Sequence, residues 1–401
     1  MNKLYKLKRY VFGRAIRILS RLFVFLDWLT AKNPQLVIFM QSRRRYSDNA
    51  RALFEYITLY CPNLRAVWIA KDDVHGERIS TLFPEGQVVL RFTLEGFITA
   101  IRARAFVYTH GVSDLFPYDR PSTRKVGLIL WHGISLKQFG LPTLLEQQIR
   151  PQCRQELVGM IGMTSSSNLD RLANCVCWGV PFYNVAVTGL PRNDRLFKPA
   201  RTPPNLKGML QGKVILYAPT FRDAGKHTEF FPFVDFDPHR LNQELARIGV
   251  CILLRPHPND GDNQRRLSEL YQAGHKRLVL ADVESVQDIA DILPMVEAVI
   301  TDYSSVFFDL LLKDIPPIFI PYDLAEYEAD RGLLQDYEAV TPGPKVYTQS
   351  DLINEIEHAL VGAPKYATHR FIVRKLFHHF DDEKSSARTA EFLVTLMKRC
   401  Q

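Results

Sequence analysis

Nowhere in its 401 residues does the chain hold a long apolar run. In the N-terminal segment the longest wholly apolar stretch is Leu22–Leu26, ended by Asp27, far short of the roughly 20 residues a membrane-crossing helix needs. No small-residue cleavage site follows a clean apolar region, so a secretory signal is not expected. Cysteine is scarce: Cys61, Cys153, Cys175, Cys177, Cys251 and Cys400 show no CxxC spacing, which argues for reduced thiols and against structural zinc. Neither GxGxxG nor a Walker loop occurs, so the two common glycine-rich phosphate cradles are absent. There is no internal repeat shorter than a domain and no low-complexity tract.

Acidic residues are almost missing from one end. Residues 1–32 carry Lys3, Lys6, Lys8, Arg9, Arg14, Arg17, Arg21 and Lys32 against Asp27 alone, and so hold nearly all of the net charge of +8. Leu4, Leu7, Val11, Ala15, Ile18, Leu22, Phe25 and Leu29 recur there at helical spacing. A basic amphipathic helix of this kind suits an anionic membrane surface, which we expect residues 1–30 to meet. The alternative is a helix packed on its own domain. Nucleic acid is not expected, because the basic residues are interleaved with bulky aliphatics.

The remaining length exceeds one ordinary core, and its rhythm is strand, loop, helix. Strands are expected at Gln35–Phe39, Ala66–Ala70, Gln87–Leu90, Ala105–Tyr108, Val126–Leu130 and Val185–Thr188. The pattern restarts at Lys213–Tyr217, Val250–Arg255, Leu278–Leu280, Ala298–Ile300 and Pro316–Ile320. Such alternation gives an α/β fold with parallel sheets, whose ligands sit at the carboxyl ends of the strands. The proline-bearing residues 198–210 mark the division. We therefore expect a membrane-associating helix at 1–32, a Rossmann-like domain at 33–205, a second at 206–370 and a C-terminal helical segment at 371–401 returning to the first domain.

The strand ends gather cations and hydroxyls: His110, His132, Arg222, Arg255, His257, Thr301, Ser304 and Ser305. No carboxylate cluster suited to magnesium accompanies them. Ile300 leads into Thr301-Asp302-Tyr303-Ser304-Ser305 and then Val306, Phe307, Leu310 and Leu311, a strand feeding a helix. A phosphate is expected at that helix start, with Ser304 as its cap. His132-Gly133 and His110-Gly111 follow neighbouring strands and should face one cleft. An imidazole there is a suitable base for a polyol or sugar hydroxyl. Two such domains about a cleft make the GT-B architecture.

Seven segments, in order, carry a family resemblance: Tyr46-Ser47-Asp48-Asn49, Trp131-His132-Gly133-Ile134-Ser135-Leu136-Lys137, Gly189-Leu190-Pro191-Arg192-Asn193-Asp194, Tyr217-Ala218-Pro219-Thr220-Phe221-Arg222-Asp223, Arg255-Pro256-His257-Pro258, Ile300 to Ser305, and Tyr322-Asp323 through Arg331-Gly332. The chain resembles the bacterial CDP-glycerol glycerophosphotransferases of teichoic acid and capsular polymer synthesis. The resemblance implies a GT-B fold, peripheral attachment to the cytoplasmic face of the membrane, CDP-glycerol or another CDP-polyol as donor, and a lipid-linked or polymeric glycan acceptor. It implies no obligatory cofactor and no metal. His132 would be the general base and His257 a contact of the transferring phosphate. Arg222 would hold the diphosphate. Thr301, Asp302, Ser304 and Ser305 would bind at the turn, with His110, Gly133, Arg255, Asp330 and Arg331 as further substrate contacts. Two departures stand out: Ile134-Ser135 where the family commonly has Thr-Pro, and Phe221 where it commonly has Trp. Ribitol phosphate transfer, a GT-B glycosyltransferase and a non-enzymatic assembly component are the competing readings.

Overall fold

β1 (Asn33–Met40) sends alternate side chains to two cores, Val37 and Phe39 to one and Ile38 and Met40 to the other. A strand buried on both faces belongs inside a parallel sheet. In a computed structural model, which describes residues 21–41, 45–118, 124–142, 162–222, 228–257 and 260–399, it is an interior strand of one, between β2 (Arg65–Ala70) and β4 (Ala103–Tyr108). β3 (Val88–Leu90), β5 (Val126–Ile129), β6 (Gly162–Ser165) and β7 (Val185–Val187) complete the order β3-β2-β1-β4-β5-β6-β7. The second sheet runs β10-β9-β8-β11-β12, from β8 (Lys213–Tyr217), β9 (Val250–Leu254), β10 (Leu278–Leu280), β11 (Val296–Thr301) and β12 (Pro317–Phe319). Every paired neighbour in both sheets is parallel. Chain order reverses between β1 and β4 and between β8 and β11, the places where such sheets open a crevice.

Helices cover both faces of the first sheet. One face takes Asp48–Tyr60 and Ser385–Arg399, through Leu53, Phe54, Leu393 and Leu396. The other takes residues 21–29, Leu94–Arg102 and Asn168–Trp178, through Phe23, Ala100 and Trp178. Their starts are side-chain capped where the sequence supplies the residue: Thr93 accepts from Gly96 N–H and Ser167 from Asp170 N–H. The Ser385–Arg399 helix begins on Asp194, whose two carboxylate oxygens accept from the N–H groups of Ser385 and Ser386, each at 2.8 Å. Helices outside the sequence expectation include Pro238–Ile248 and Gly261–Gln272, and Ala367–Phe377 starts ahead of the expected C-terminal segment. Asp237-Pro238 and Asp260 were their available signals in the first two cases, both aspartates acting as N-caps.

The halves share a core. Ile134, Leu136, Leu190 and Leu196 join Val214, Leu216, Phe307 and Phe308 in one apolar cluster. A short antiparallel strap adds hydrogen bonds across the division, from Gln138 N–H to Gly332 O (3.0 Å) and from Leu334 N–H to Leu136 O (2.8 Å).

Residues 1–20 of the basic segment lie outside the described residues, as do 42–44, Asp223 and Pro258. Residues 21–29 are helical and packed by Phe23, whose ring meets Phe97 and Tyr118. Asp27 is fully buried and pairs with Lys32 at 3.0 Å and with Lys125. Leu22, Phe25, Trp28 and Leu29 point outward. Among the described residues, no helix is long and apolar enough to cross a membrane.

Candidate active site

β5 delivers Trp131-His132-Gly133 to the carboxyl edge of the first sheet. Trp131 is wedged against Phe139 and Trp178, with ring centres 4.9 and 5.0 Å away. Its carbonyl accepts from Asn49 Nδ2 at 2.8 Å and its indole N–H donates to Ser135 Oγ at 3.2 Å. The His132 ring is thus carried by a fixed loop, stacked 5.2 Å from the His110 ring. Removal from water, with His110, Lys137 and Arg192 nearby, pushes the His132 imidazole down to about 3, against the opposing pull of Asp48. The ring is neutral at physiological pH and has a nitrogen lone pair to accept a proton.

β11 and the Val306–Leu311 helix deliver the opposite wall. Thr301 is fully buried and its hydroxyl donates to Ala218 O at 2.8 Å. Asp302 Oδ1 accepts from Thr220 N–H (2.7 Å) and Tyr303 N–H (2.5 Å). These two residues hold the wall from beneath, so the expected phosphate contacts reduce to Ser304 and Ser305. Ser305 is the N-cap, yet neither serine closes the helix with its side chain, and the helix is six residues long. The hydroxyls, rather than a helix dipole, are what this turn offers.

A cleft of about 430 Å³ separates the walls. From the first half it is lined by His132, Gly133, Ser135, Leu136 and Lys137, and from the second by Pro219, Thr220, Phe221, His257, Tyr303, Ser304 and Ser305. His257 follows β9 and leans on Phe221, ring centres 4.6 Å apart. Gly133 has φ +140°, and a β-carbon there would lie 2.9 Å from Arg192 Nη2 and 3.0 Å from Ser305 Oγ. Glycine is what lets the two walls close on this loop.

Five other expected site residues lie outside the lining of this cleft. Arg222 is 4 % exposed and fully engaged: Nε and Nη2 donate to Asp323 at 2.8 and 2.9 Å, Nη2 also meets Asp302 at 2.9 Å, and Nη1 donates to Thr220 O at 2.6 Å. Burial opposes its charge, but Asp323 and Asp302 hold it above the usual arginine value. It braces the wall beneath the rings of Tyr303 and Tyr322. Arg255 donates from Nη1 to the carbonyls of Ala281, Asp282 and Val286, tying a loop. His110 stands behind His132 with Nδ1 3.5 Å from Asp114, outside the lining. Asp330 and Arg331 lie at the end of the Leu324–Asp330 helix, likewise outside it.

Lys137 was not among the expected site residues, although it closes the Trp-His-Gly segment. Among the described residues it is the lysine or arginine that lines the cleft. Asp48, Arg192 and Asp309 were missed altogether, despite two of them lying in segments noted for resemblance. Among the described residues, no group of three or more His, Cys, Asp or Glu is arranged to hold a metal ion. Cys61, Cys175, Cys177 and Cys251 are free thiols.

Comparison with known proteins bears on the family and the fold. The chain is 29 % identical to a teichoic acid glycerol-phosphate transferase of Staphylococcus aureus, over 97 % of this chain and 98 % of the relative. A teichoic acid poly(ribitol-phosphate) polymerase of Bacillus spizizenii is 30 % identical, over 71 % of this chain but 46 % of the polymerase, so the chain spans about half of such polymerases. Among solved structures, the wall teichoic acid polymerase TagF superposes with a TM-score of 0.76 at 21 % identity, covering 100 % of this chain and 99 % of the other, and confirms the GT-B-like pairing of sheets. The family model of CDP-glycerol:poly(glycerophosphate) glycerophosphotransferases matches residues 22–395, and the chain belongs to that family.

Proposed function

We propose that the enzyme transfers glycerol phosphate from CDP-glycerol to a hydroxyl of a lipid-linked or polymeric acceptor and releases CMP. The observation that carries this is the single cleft bringing His132 and Lys137 of one half against His257, Ser304 and Ser305 of the other. The acceptor oxygen attacks the β-phosphorus, the bond from that phosphorus to the bridging oxygen breaks, and CMP departs. His132 takes the acceptor proton on its unprotonated nitrogen. Ser304, Ser305 and Lys137 meet the phosphate oxygens in place of Arg222, and His257 meets the departing phosphate. Hydroxyls, imidazoles and an ammonium suit phosphate oxygens better than a hard cation, which supports transfer without an obligatory metal. In this reading residues 33–205 serve the acceptor and 206–370 the CDP-polyol.

The same reading places the enzyme on the cytoplasmic face of a membrane. Residues 21–29, Leu94–Arg102 and Asn168–Trp178 cover one face of the first sheet, and each leaves apolar side chains outward: Phe25 and Trp28, Leu94 and Ile98, Leu172 and Val176. Arg124 lies over Trp28, with its guanidinium carbon 5.9 Å from the ring centre. An apolar face edged by cations fits an anionic lipid surface.

The test is a panel of CDP-glycerol, CDP-ribitol and nucleotide sugars, each with acceptor and chelator, scored for free nucleotide. CDP-glycerol should yield CMP. His132→Ala should abolish transfer and leave donor binding within about threefold, as expected for a base. Nucleotide release from CDP-ribitol alone, strict dependence on added magnesium, or donor binding lost in step with rate would each overturn the corresponding part.

A further inference from the structure

Arg192 does not line the cleft, yet it touches both of its walls. It sits at the start of the turn Pro191–Phe197, where its own N–H donates to Asn49 Oδ1 at 3.0 Å. Nη1 donates to Asp48 Oδ1 (3.0 Å) and to the carbonyl of His132 (2.8 Å). Nη2 donates to Asp309 Oδ2 at 2.6 Å. Asp309 lies on the Val306–Leu311 helix, one turn beyond Ser305, and its other oxygen accepts from Asn193 Nδ2 at 3.1 Å. Burial opposes the guanidinium charge, but Asp309 and Asp48 hold it above the usual arginine value.

The backbone around these contacts is unusual. Asp48 has φ +65° and Trp131, the residue before His132, has φ +55°. Non-glycine residues rarely adopt this region, and they persist there only where the surroundings over-determine them. Here Arg192 grips the side chain of one and the carbonyl just after the other, while Asn49 grips the Trp131 carbonyl. A buried ion pair is by itself weak evidence for stability. This one is different in kind, because its planar fork addresses three groups from three chain segments at once.

We infer that Arg192 is a positioning residue that sets the separation between His132 and the Ser304–Ser305 pair, through the His132 carbonyl on one side and the Asp309 carboxylate on the other. The cleft then holds its reacting width before the donor arrives, and substrate binding is spared the cost of closing the halves. Arg192 and Asp309 touch no substrate and act through the residues they hold. The kinetic half of the inference rests on the role proposed above for His132; the structural half does not.

The experiment uses the full chain with Arg192→Lys and Asp309→Asn. Lysine keeps the charge but presents a point rather than a fork, so it cannot serve both halves. Asparagine at 309 loosens the far wall and leaves the bonds to Asp48 and His132 in place. By amide hydrogen exchange, Arg192→Lys should speed exchange at least about tenfold in residues 131–137 and 303–308. Asp309→Asn should speed it in 303–308 alone. With CDP-glycerol, both should lower kcat about 30-fold or more while donor KM stays within about threefold. The double variant should be little worse than Arg192→Lys alone, since the two act through one contact. A folded Arg192→Lys protein with wild-type exchange in both segments, or with kcat intact, or with KM rising as far as kcat falls, overturns the inference. If Arg192→Lys does not fold, wild-type exchange in Asp309→Asn overturns it. Wild-type protein that fails to turn over CDP-glycerol overturns the activity reading alone, and exchange still decides the role of Arg192.

Discussion

Placing a single methyl group at Gly133 should cripple the enzyme while leaving it folded. The Cβ of Gly133→Ala would lie 2.9 Å from Arg192 Nη2 and 3.0 Å from Ser305 Oγ, closer than such contacts normally come. The Arg192 contact decides the outcome, because Arg192 is held by Asp48, the His132 carbonyl and Asp309, whereas the Ser305 hydroxyl can rotate aside. The backbone there also has φ +140°, which an L-residue rarely adopts. Strain of this kind costs roughly 1–3 kcal/mol, and overpacking adds about 1–3 kcal/mol more. Part of this is relieved by the loop shifting, which displaces His132. If about 2–4 kcal/mol reaches the transition state, the rate falls roughly 30- to 1,000-fold. Steady-state CMP release and a thermal melt measure the two effects separately. Gly249→Ala is the control: φ is +80° and nothing lies within 4 Å of its Cβ, so it should lose about 1 kcal/mol of stability and no rate. A Gly133→Ala enzyme within threefold of wild type, or a Gly249→Ala enzyme equally slowed, would refute the reasoning.

Two further outcomes follow from buried charge. His132, partly buried in the cleft wall and faced by His110, Lys137 and Arg192 against Asp48 alone, is pushed down to about 3; the acid limb of kcat/KM should fall below about pH 5, and a limb near the ordinary histidine value of about 6.5 would show a solvated ring. Because the unfolded chain binds that proton below about 6.5 and the folded one does not until about 3, this group adds stability as pH rises through that window. Asp27→Asn strands Lys125, fully buried and already pushed down to about 7 by burial, and should cost roughly 3 kcal/mol and speed amide exchange in residues 21–29. Phe25→Glu with Trp28→Glu, both outward-facing, should leave the melt unchanged and abolish binding to phosphatidylserine vesicles; undiminished binding would remove this helix from the membrane contact.

Much of the fold was legible because it rests on local pattern. Gln35 to Phe39 read as a strand from their apolar run, and the polar turn between Ile300 and Val306 marked the passage from β11 to a helix. The position of His132 and His257 in one cleft was legible for the same reason, since a strand end is both a sequence signal and a place in space. The ion pairs of Arg222 were not legible because its partners are remote. Asp302 and Asp323 follow it by about 80 and 100 residues, and a cation looks the same in sequence whether or not it is neutralised. The partners of Thr301 and Asp302 are equally remote: the first donates to Ala218 O and the second accepts from Thr220 N–H, so nothing in the turn itself separates them from Ser304 and Ser305. Lys137 and Arg192 were visible in their segments, yet a role for either required the other half of the molecule.

The strap between residues 136–138 and 332–334 bears on how relatives of this enzyme can be recombined. The loop that carries His132 takes its last hydrogen bonds from the second half, and Ile134 and Leu136 bury themselves in that half's apolar cluster. A chimera with its crossover in residues 198–210 would therefore join a loop from one parent to a docking edge from another. Exchange of donor or acceptor preference between relatives should succeed only when residues 134–138 travel with 332–334, and Arg192 with Asp309, as matched sets. The linker is the shortest place to cut the chain, but the seam of inheritance runs through the cleft.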